Sequence, residues 1–319
     1  MKKFAMAAVA AAALSAGVAQ AYTVGTYSNG FVVPNVIHNG SSDTTAVGLI
    51  NQSAGTRAVY WTFFDQNSQH VTDGCFTMTS KDYQSFIWSE QSGGGLNNVR
   101  GYLVFAAGAS TVGGAAQTAC AGAAVLATAG DVSLSANAFQ ANAISKDVAF
   151  VPVIDGPLLV TSGVDITKMG PTSLEAVAGA AQTFGSVAPT FSMRYAIDQA
   201  PGGLDTAVVV WSTGDHRGTH TVNIYDDKQN RKSVNFALKK AELDWFDPES
   251  IAGLPATFTD GFIEWTPNTV PGDYAALGGA TGDALAAKST GSVFTYSQIS
   301  SAAFGAVQTL LGAHTTIAP

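Results

Sequence analysis

Charge is scarce in this sequence. Asp, Glu, Lys and Arg make up 12% of 319 residues, about half the usual share, and the net charge is −8. No basic cluster is present, which argues against nucleic acid and against anionic membrane surfaces as partners. Cysteine is nearly absent too. Cys75 and Cys120 are the two copies, and they lack the CxxC spacing of a redox or zinc pair, so one structural disulfide is the expectation. Beyond the first residues no apolar run is long enough to span a bilayer, because Thr, Ser, Asn, Gly or a charge interrupts each one. There is no Gly-x-Ser-x-Gly elbow and no other serine signature. Nothing in the composition calls for a cofactor, and no catalytic residue is assigned.

What the chain does contain begins with an export pattern. Lys2 and Lys3 precede an Ala-rich apolar stretch, residues 4–18, and Ala19-Gln20-Ala21 supplies the small residues of a cleavage site. Residues 1–21 are therefore expected to be a signal peptide, with the mature chain starting near Tyr22 and carrying no membrane span. The expected location is outside the cytoplasm: periplasm, outer surface or medium.

The remainder reads as short β-strands, and it reads so twice. Residues 44–51, TTAVGLIN, and 59–65, VYWTFFD, recur as DTAVVVWS at 205–212 and HTVNIYD at 220–226. The separation is 161 in both cases and again between a strand expected at 132–138 and one at 293–299, and GYLVF at 101–105 meets GFIEW at 261–265 at a separation of 160. Period-2 alternation places Trp61 and Phe63 on one face of a strand and Tyr60, Thr62 and Phe64 on the other. Asp65 and Asp226 close their strands as turn residues whose carboxylates reach backbone N–H groups two residues on. Short strands joined by Gly, Asn and Asp turns indicate antiparallel sandwiches rather than one porin-like barrel, whose strands run to about ten residues.

The expected organisation is all-β: two tandem antiparallel β-sandwiches related by internal duplication. The first takes residues 22–148 and the second 149–319. Phe150-Val-Pro-Val-Ile154 matches the opening string at 31–37, here at a separation of only about 118, which leaves an insert at 155–204. Within it Thr172-Ser-Leu-Glu175 has the capping-box pattern, and residues 174–182 are expected to form a short helix.

Three groups of residues could carry function. Asp215, His216 and His220 form the densest ligand-like cluster, a weak metal candidate because they fall in a hairpin loop and strand edge instead of on a helix. The acidic run from Asp244 through Asp247 to Glu249 lacks the alternating pattern of a calcium loop and reads as solvated turn charge. Tyr60, Phe64, Tyr102, Tyr225 and Phe262 are candidate contact aromatics: on half-exposed faces they would pack against another domain or molecule, or stack on carbohydrate. An enzyme would need a pocket gathering Asp165, Lys168, Arg194 or Asp198 with a histidine.

The recurring pattern T-x-V-x-L-x-N, V-x-W/V-x-F-F/Y-D, F-x-M/L and G-Y/F-L/I resembles the Ig-like β-sandwich domains repeated in bacterial exported and cell-surface proteins. The resemblance covers both copies apart from the insert. It implies a sandwich fold and an extracytoplasmic setting, with no catalytic residues to carry over. The functional expectation is a non-enzymatic structural or adhesion protein of the cell surface or extracellular matrix. It would bind itself or other surface proteins and assemble through weakly charged sheet edges, with residues 22–30 or the tail as strand donor. The alternative is a carbohydrate- or ligand-binding module that uses the outward aromatics or the insert.

Overall fold

The computed structural model describes residues 25–315 except 41, 68, 92–95, 111–118, 121–125, 129, 145, 156–189, 199–201, 213–215, 268–292 and 302–305. Residues 1–21, the helix expected at 174–182, and Asp165, Lys168 and Asp215 lie outside the described residues. Among the described residues the chain is almost wholly β, and no helix is long and apolar enough to cross a membrane.

The first sandwich contains β1 (Gly30–Val36), β2 (Asp43–Asn51), β3 (Arg57–Asp65), β4 (His70–Met78), β5 (Tyr83–Ile87), β6 (Gly101–Ala107), β7 (Leu134–Asn142) and β8 (Asp147–Val151), with one short helix, α1 (Trp88–Gln91). The second contains β9 (Thr190–Ala196), β10 (Leu204–Ser212), β11 (Gly218–Asp226), β12 (Arg231–Leu238), β13 (Leu243–Phe246), β14 (Asp260–Trp265), β15 (Val293–Ser301), β16 (Ala306–Leu311) and β17 (Ala313–Thr315). These strands make four antiparallel sheets. Sheet I has the order β5-β2-β7-β8, sheet II β1-β6-β3-β4, sheet III β13-β10-β15-β16 and sheet IV β12-β11-β14-β9-β17.

The duplication is visible in the register. Phe64 faces Tyr102 as Tyr225 faces Phe262, and Val47 faces Phe86 as Val208 faces Phe246. The motif glycines have a steric reason. A Cβ on Gly101 would stand 2.0 Å from the Phe64 carbonyl oxygen, and one on Gly261 would stand 1.8 Å from that of Tyr225. Only glycine lets the two backbones approach so closely. The turn aspartates behave alike in both copies. Asp65 Oδ1 accepts from the N–H groups of Asn67 and Gln69 at 2.8 and 3.0 Å, and Asp226 Oδ1 from those of Lys228 and Asn230 at 2.9 and 2.7 Å.

The register also corrects three expectations. Asp147–Val151 hydrogen-bonds to β7, and Ile154 bridges to Val32, so residues 149–154 belong to the first sandwich instead of opening the second. The strand that occupies in sheet IV the place of β1 in sheet II is β9, which lies inside the supposed insert at 155–204. The strand expected at 132–138 keeps step with 293–299 at 159, not 161, since Leu134 faces Asn51 and Val293 faces Ser212. In each copy the last strand of the first sheet then crosses to the edge of the other, through Ile154 and through β17.

Pairing of β2 with β5 and of β3 with β6 follows the B–E and C–F pairing of an Ig sandwich. The first strand departs from that order by lying beside β6, and β7 takes the place beside β2.

Three apolar layers hold the four sheets in one stack. Trp61, Phe63, Phe86, Trp88 and Phe105 lie between sheets I and II, and Phe191, Val208, Ile224, Phe246 and Trp265 between sheets III and IV. The third layer joins the sandwiches. Tyr60, Phe64, Tyr102 and Val104 of sheet II meet Val209, Trp211, Leu243 and Tyr296 of sheet III in a single buried cluster.

Candidate functional site

Alternation in β3 and β6 decides where the candidate aromatics go. With Trp61 and Phe63 turned into the first sandwich, Tyr60, Phe64 and Tyr102 must face outward from it, and Trp211 must face outward from sheet III by the same rule. The rings of Phe64 and Tyr102 stack with centroids 5.3 Å apart and planes at 18°. Trp211 meets Tyr102 edge-on at 5.8 Å. Phe64, Tyr102 and Trp211 are fully buried and Tyr60 is 8% exposed. Three of the five candidate contact aromatics therefore form the contact between domains, and carbohydrate has no access to them.

Polar bonds fix the register of this contact. Tyr102 Oη donates to Glu242 Oε2 at 2.7 Å. Asn35 Nδ2 donates to Tyr296 Oη at 3.0 Å, and Arg100 Nε donates to Asn35 Oδ1 at 2.7 Å. The Arg100 guanidinium lies 3.6 Å over the Trp245 ring, and Lys240 Nζ donates to Asn67 Oδ1 at 3.0 Å. Burial lowers the Arg100 pKa to about 10 against the pull of Tyr296 and Asp244, and burial raises that of Tyr296 to about 12. Desolvating these groups costs free energy that an open, mobile junction would not incur.

Among the described residues His216 and His220 belong to no grouping of metal-ligating side chains. His216 is buried with its Nδ1 at 3.1 Å from Ser212 Oγ. His220 Nε2 lies 2.6 Å from the His216 carbonyl oxygen, and its ring packs on Phe236 and Trp265. Each ring is committed to the interior of its own sandwich. Asp205 joins Asp247 and Glu249, with carboxylate oxygens within 4.8 Å of one another, a grouping that linear order did not reveal because Asp205 arrives on β10. Desolvation raises the Asp247 pKa, while its Oδ1 accepts from the Glu249 N–H at 2.7 Å and caps the 3-10 turn at Pro248–Ser250. Arg194 pairs with Asp260 at 2.8 Å on an exposed face. Cys75 and Cys120 form the disulfide and tie residue 120 to β4.

The outer faces of the stack carry the remaining aromatics. On sheet IV, Tyr225 and Phe262 stack at 4.5 Å with planes 6° apart. Phe262 is 40% exposed, and Tyr225 Oη donates to Glu264 Oε2 at 3.2 Å. Arg231 bonds to Asn223 beside them. On sheet I the outer face is uncharged and mixes exposed apolar residues with exposed Ser85 and Asn137. The Tyr83 ring lies over Gly48, where a Cβ would come within 2.8 Å of its hydroxyl, and Tyr83 remains 64% exposed. Phe139 packs edge-on against Phe150 at 6.0 Å, next to Val148 at 58% exposure. Sequence reasoning passed over this face because it assigned large apolar residues to the interior. The signal was present in β7, where Ala136 and Ala138 alternate with Asn137 and Phe139 and the small residues point inward. No protein-family model, no curated protein and no solved structure matches the chain.

Proposed function

We propose that this chain is a non-enzymatic, exported structural or adhesion protein of the cell surface or extracellular matrix, one that assembles with copies of itself. The observation that supports this most directly is the apolar layer between sheets II and III. It joins two copies of one sandwich into a four-sheet stack and leaves at one end an uncharged sheet face with Tyr83, Phe139 and Val148 exposed. Exposed apolar faces of that kind mark association surfaces. The export pattern at residues 1–21, the low charge and the disulfide support a setting outside the cytoplasm. The test is fractionation of the producing cells with electron microscopy of the native material. Ordered assemblies in the surface or matrix fraction are expected, and a freely soluble monomer recovered from cells and medium would end the proposal.

A second reading, glycan binding, is favoured by one place only. The Tyr225–Phe262 pair stands among Asn223, Glu264 and Arg231, a mixture of rings and hydrogen-bonding groups suited to sugars. Binding on a glycan array that disappears in Phe262→Ala would establish it, and an array without binding would remove it.

A further inference from the structure

We infer that copies of this chain associate head to tail, sheet IV of one molecule docking on sheet I of the next, in repetition of the contact that sheet II makes with sheet III inside each molecule. This inference rests on the self-assembly reading above and specifies the surface.

The internal contact is heterologous. By register, sheet III of the second copy corresponds to sheet I of the first, and sheet IV to sheet II. One kind of face therefore docks on a different kind of face, and a contact of that type consumes one of each and leaves one of each. The unconsumed pair is the outer face of sheet I and the outer face of sheet IV. Each retains one contacting pair from the centre of the docked version. Ile50 holds the position of Trp211, and Tyr83, opposite Ile50, holds that of Leu243, opposite Trp211. The stacked pair Tyr225–Phe262 holds the position of Phe64–Tyr102, the pair on which Trp211 rests.

The faces also differ from the docked ones in a direction that sets the strength. On sheet IV Thr221, Glu264 and Ser192 replace Tyr60, Val104 and Val32, and Arg194 and Arg231 add charge. On sheet I Gly48, Ser135 and Asn137 replace Val209, Phe294 and Tyr296, while Phe139 and Phe150 stand where the second copy has Gln298 and Thr309. Less apolar surface meets, so the junction between molecules is weaker than the internal one and forms reversibly with concentration. Strand exchange at edges is the poorer route. Of the expected donors, Ser28 in the lead-in already bridges to Leu134, and the tail strands Ala306–Leu311 and Ala313–Thr315 are already paired within their own chain.

Sedimentation velocity on the purified chain, from micromolar to millimolar, tests this with a sheet I variant, Tyr83→Glu with Val148→Glu, and a sheet IV variant, Phe262→Glu. All three positions are solvent-exposed. Thermal unfolding checks each variant, and serine at the same positions replaces glutamate if a midpoint falls. The wild type is expected to pass through successive multiples of the monomer without stopping at two. Each variant alone is expected to stay monomeric, with at least a tenfold weaker association. An equimolar mixture of the two is expected to stop at the dimer, because one intact face of each kind remains. A wild type that stops at the dimer and responds to the sheet I variant alone would overturn the inference in favour of a face-to-face pair. Assembly indifferent to both variants would overturn it while leaving self-assembly standing. A wild type that stays monomeric throughout would remove both. Loss of glycan binding in Phe262→Glu with unchanged sedimentation would assign sheet IV to sugar instead.

Discussion

Trp211→Ala should weaken the whole molecule as one unit. The indole is fully buried between the sandwiches, edge-on to Tyr102, and belongs to the apolar layer shared by sheets II and III. Truncation removes its transfer free energy and leaves a cavity that two sheets cannot close, a loss of about 3–5 kcal/mol. For a chain of this size each kcal/mol moves the melting midpoint by about 2 °C, so Tm should fall by about 6–10 °C. Scanning calorimetry measures it, with urea unfolding as a second probe. Both should show one transition in the wild type and in the variant, because the layer makes the sandwiches cooperative. Val148→Ala on the exposed outer face of sheet I is the control and should stay within about 0.5 kcal/mol. Two separate wild-type transitions, with the substitution moving only the one assigned to the second sandwich, would refute the reasoning. So would a Tm change of under about 2 °C.

Three further outcomes are expected. Reduction, or Cys75→Ser with Cys120→Ser, opens a loop of 45 residues and should cost about 4 kcal/mol on the chain-entropy account, read as a lower urea midpoint. Gly261→Ala should cost about 3 kcal/mol or more, because the new Cβ would lie 1.8 Å from the Tyr225 carbonyl oxygen, and circular dichroism melting would show it. The Asp226 pKa is lowered: burial raises it, but bonds from the Asn230 side chain and from the N–H groups of Asn230 and Lys228 outweigh that effect. Its folded pKa lies below its unfolded one, so this stabilisation is complete above the ordinary carboxylate range and is lost as pH falls through the folded value. Urea midpoints should accordingly drop as pH falls below about 5 and on through the folded value, with a shallower drop in Asp226→Asn.

Much of the scaffold was legible because it is local. Alternation in residues 59–64 assigned the two faces of β3 correctly, and the two turn aspartates disclosed their role by spacing alone. The boundary between the copies was not legible. Phe150-Val-Pro-Val-Ile154 resembles residues 31–37 in letters, yet β8 pairs with β7, and a short β-branched string carries no information about its partner. Nor could alternation say what covers an outward face. Tyr60 and Tyr225 both read as outward aromatics, but one is buried under a second domain and the other lies on the far side of the stack. The surroundings of His216, only a weak metal candidate, were hidden for a related reason, since a loop position in the sequence became a buried ring beside Ser212.

The differences between the copies follow the layering. At the position where the first copy has Val104 in the layer shared with Tyr296 and Trp211, the second has Glu264, bonded to Tyr225. Where the second copy has Val209 against the first, the first has Gly48 under an exposed Tyr83. Most residues facing the shared layer are thus apolar in the copy that buries them and polar or small in the copy that does not; the exceptions are the Tyr225–Phe262 pair and Phe139, which stands where the second copy has buried Gln298. The inward positions show no such divergence: Val47 and Val208, Phe63 and Ile224, and Phe86 and Phe246 are all buried or nearly so. A duplicated sandwich whose faces dock in one direction must always end in two different unpaired faces. Their chemistry is where this molecule is free to meet anything else. Sheet I keeps its apolar rings exposed despite that freedom, although polar residues would serve a monomer better, and this retention is the strongest physical argument that the face is meant to be covered.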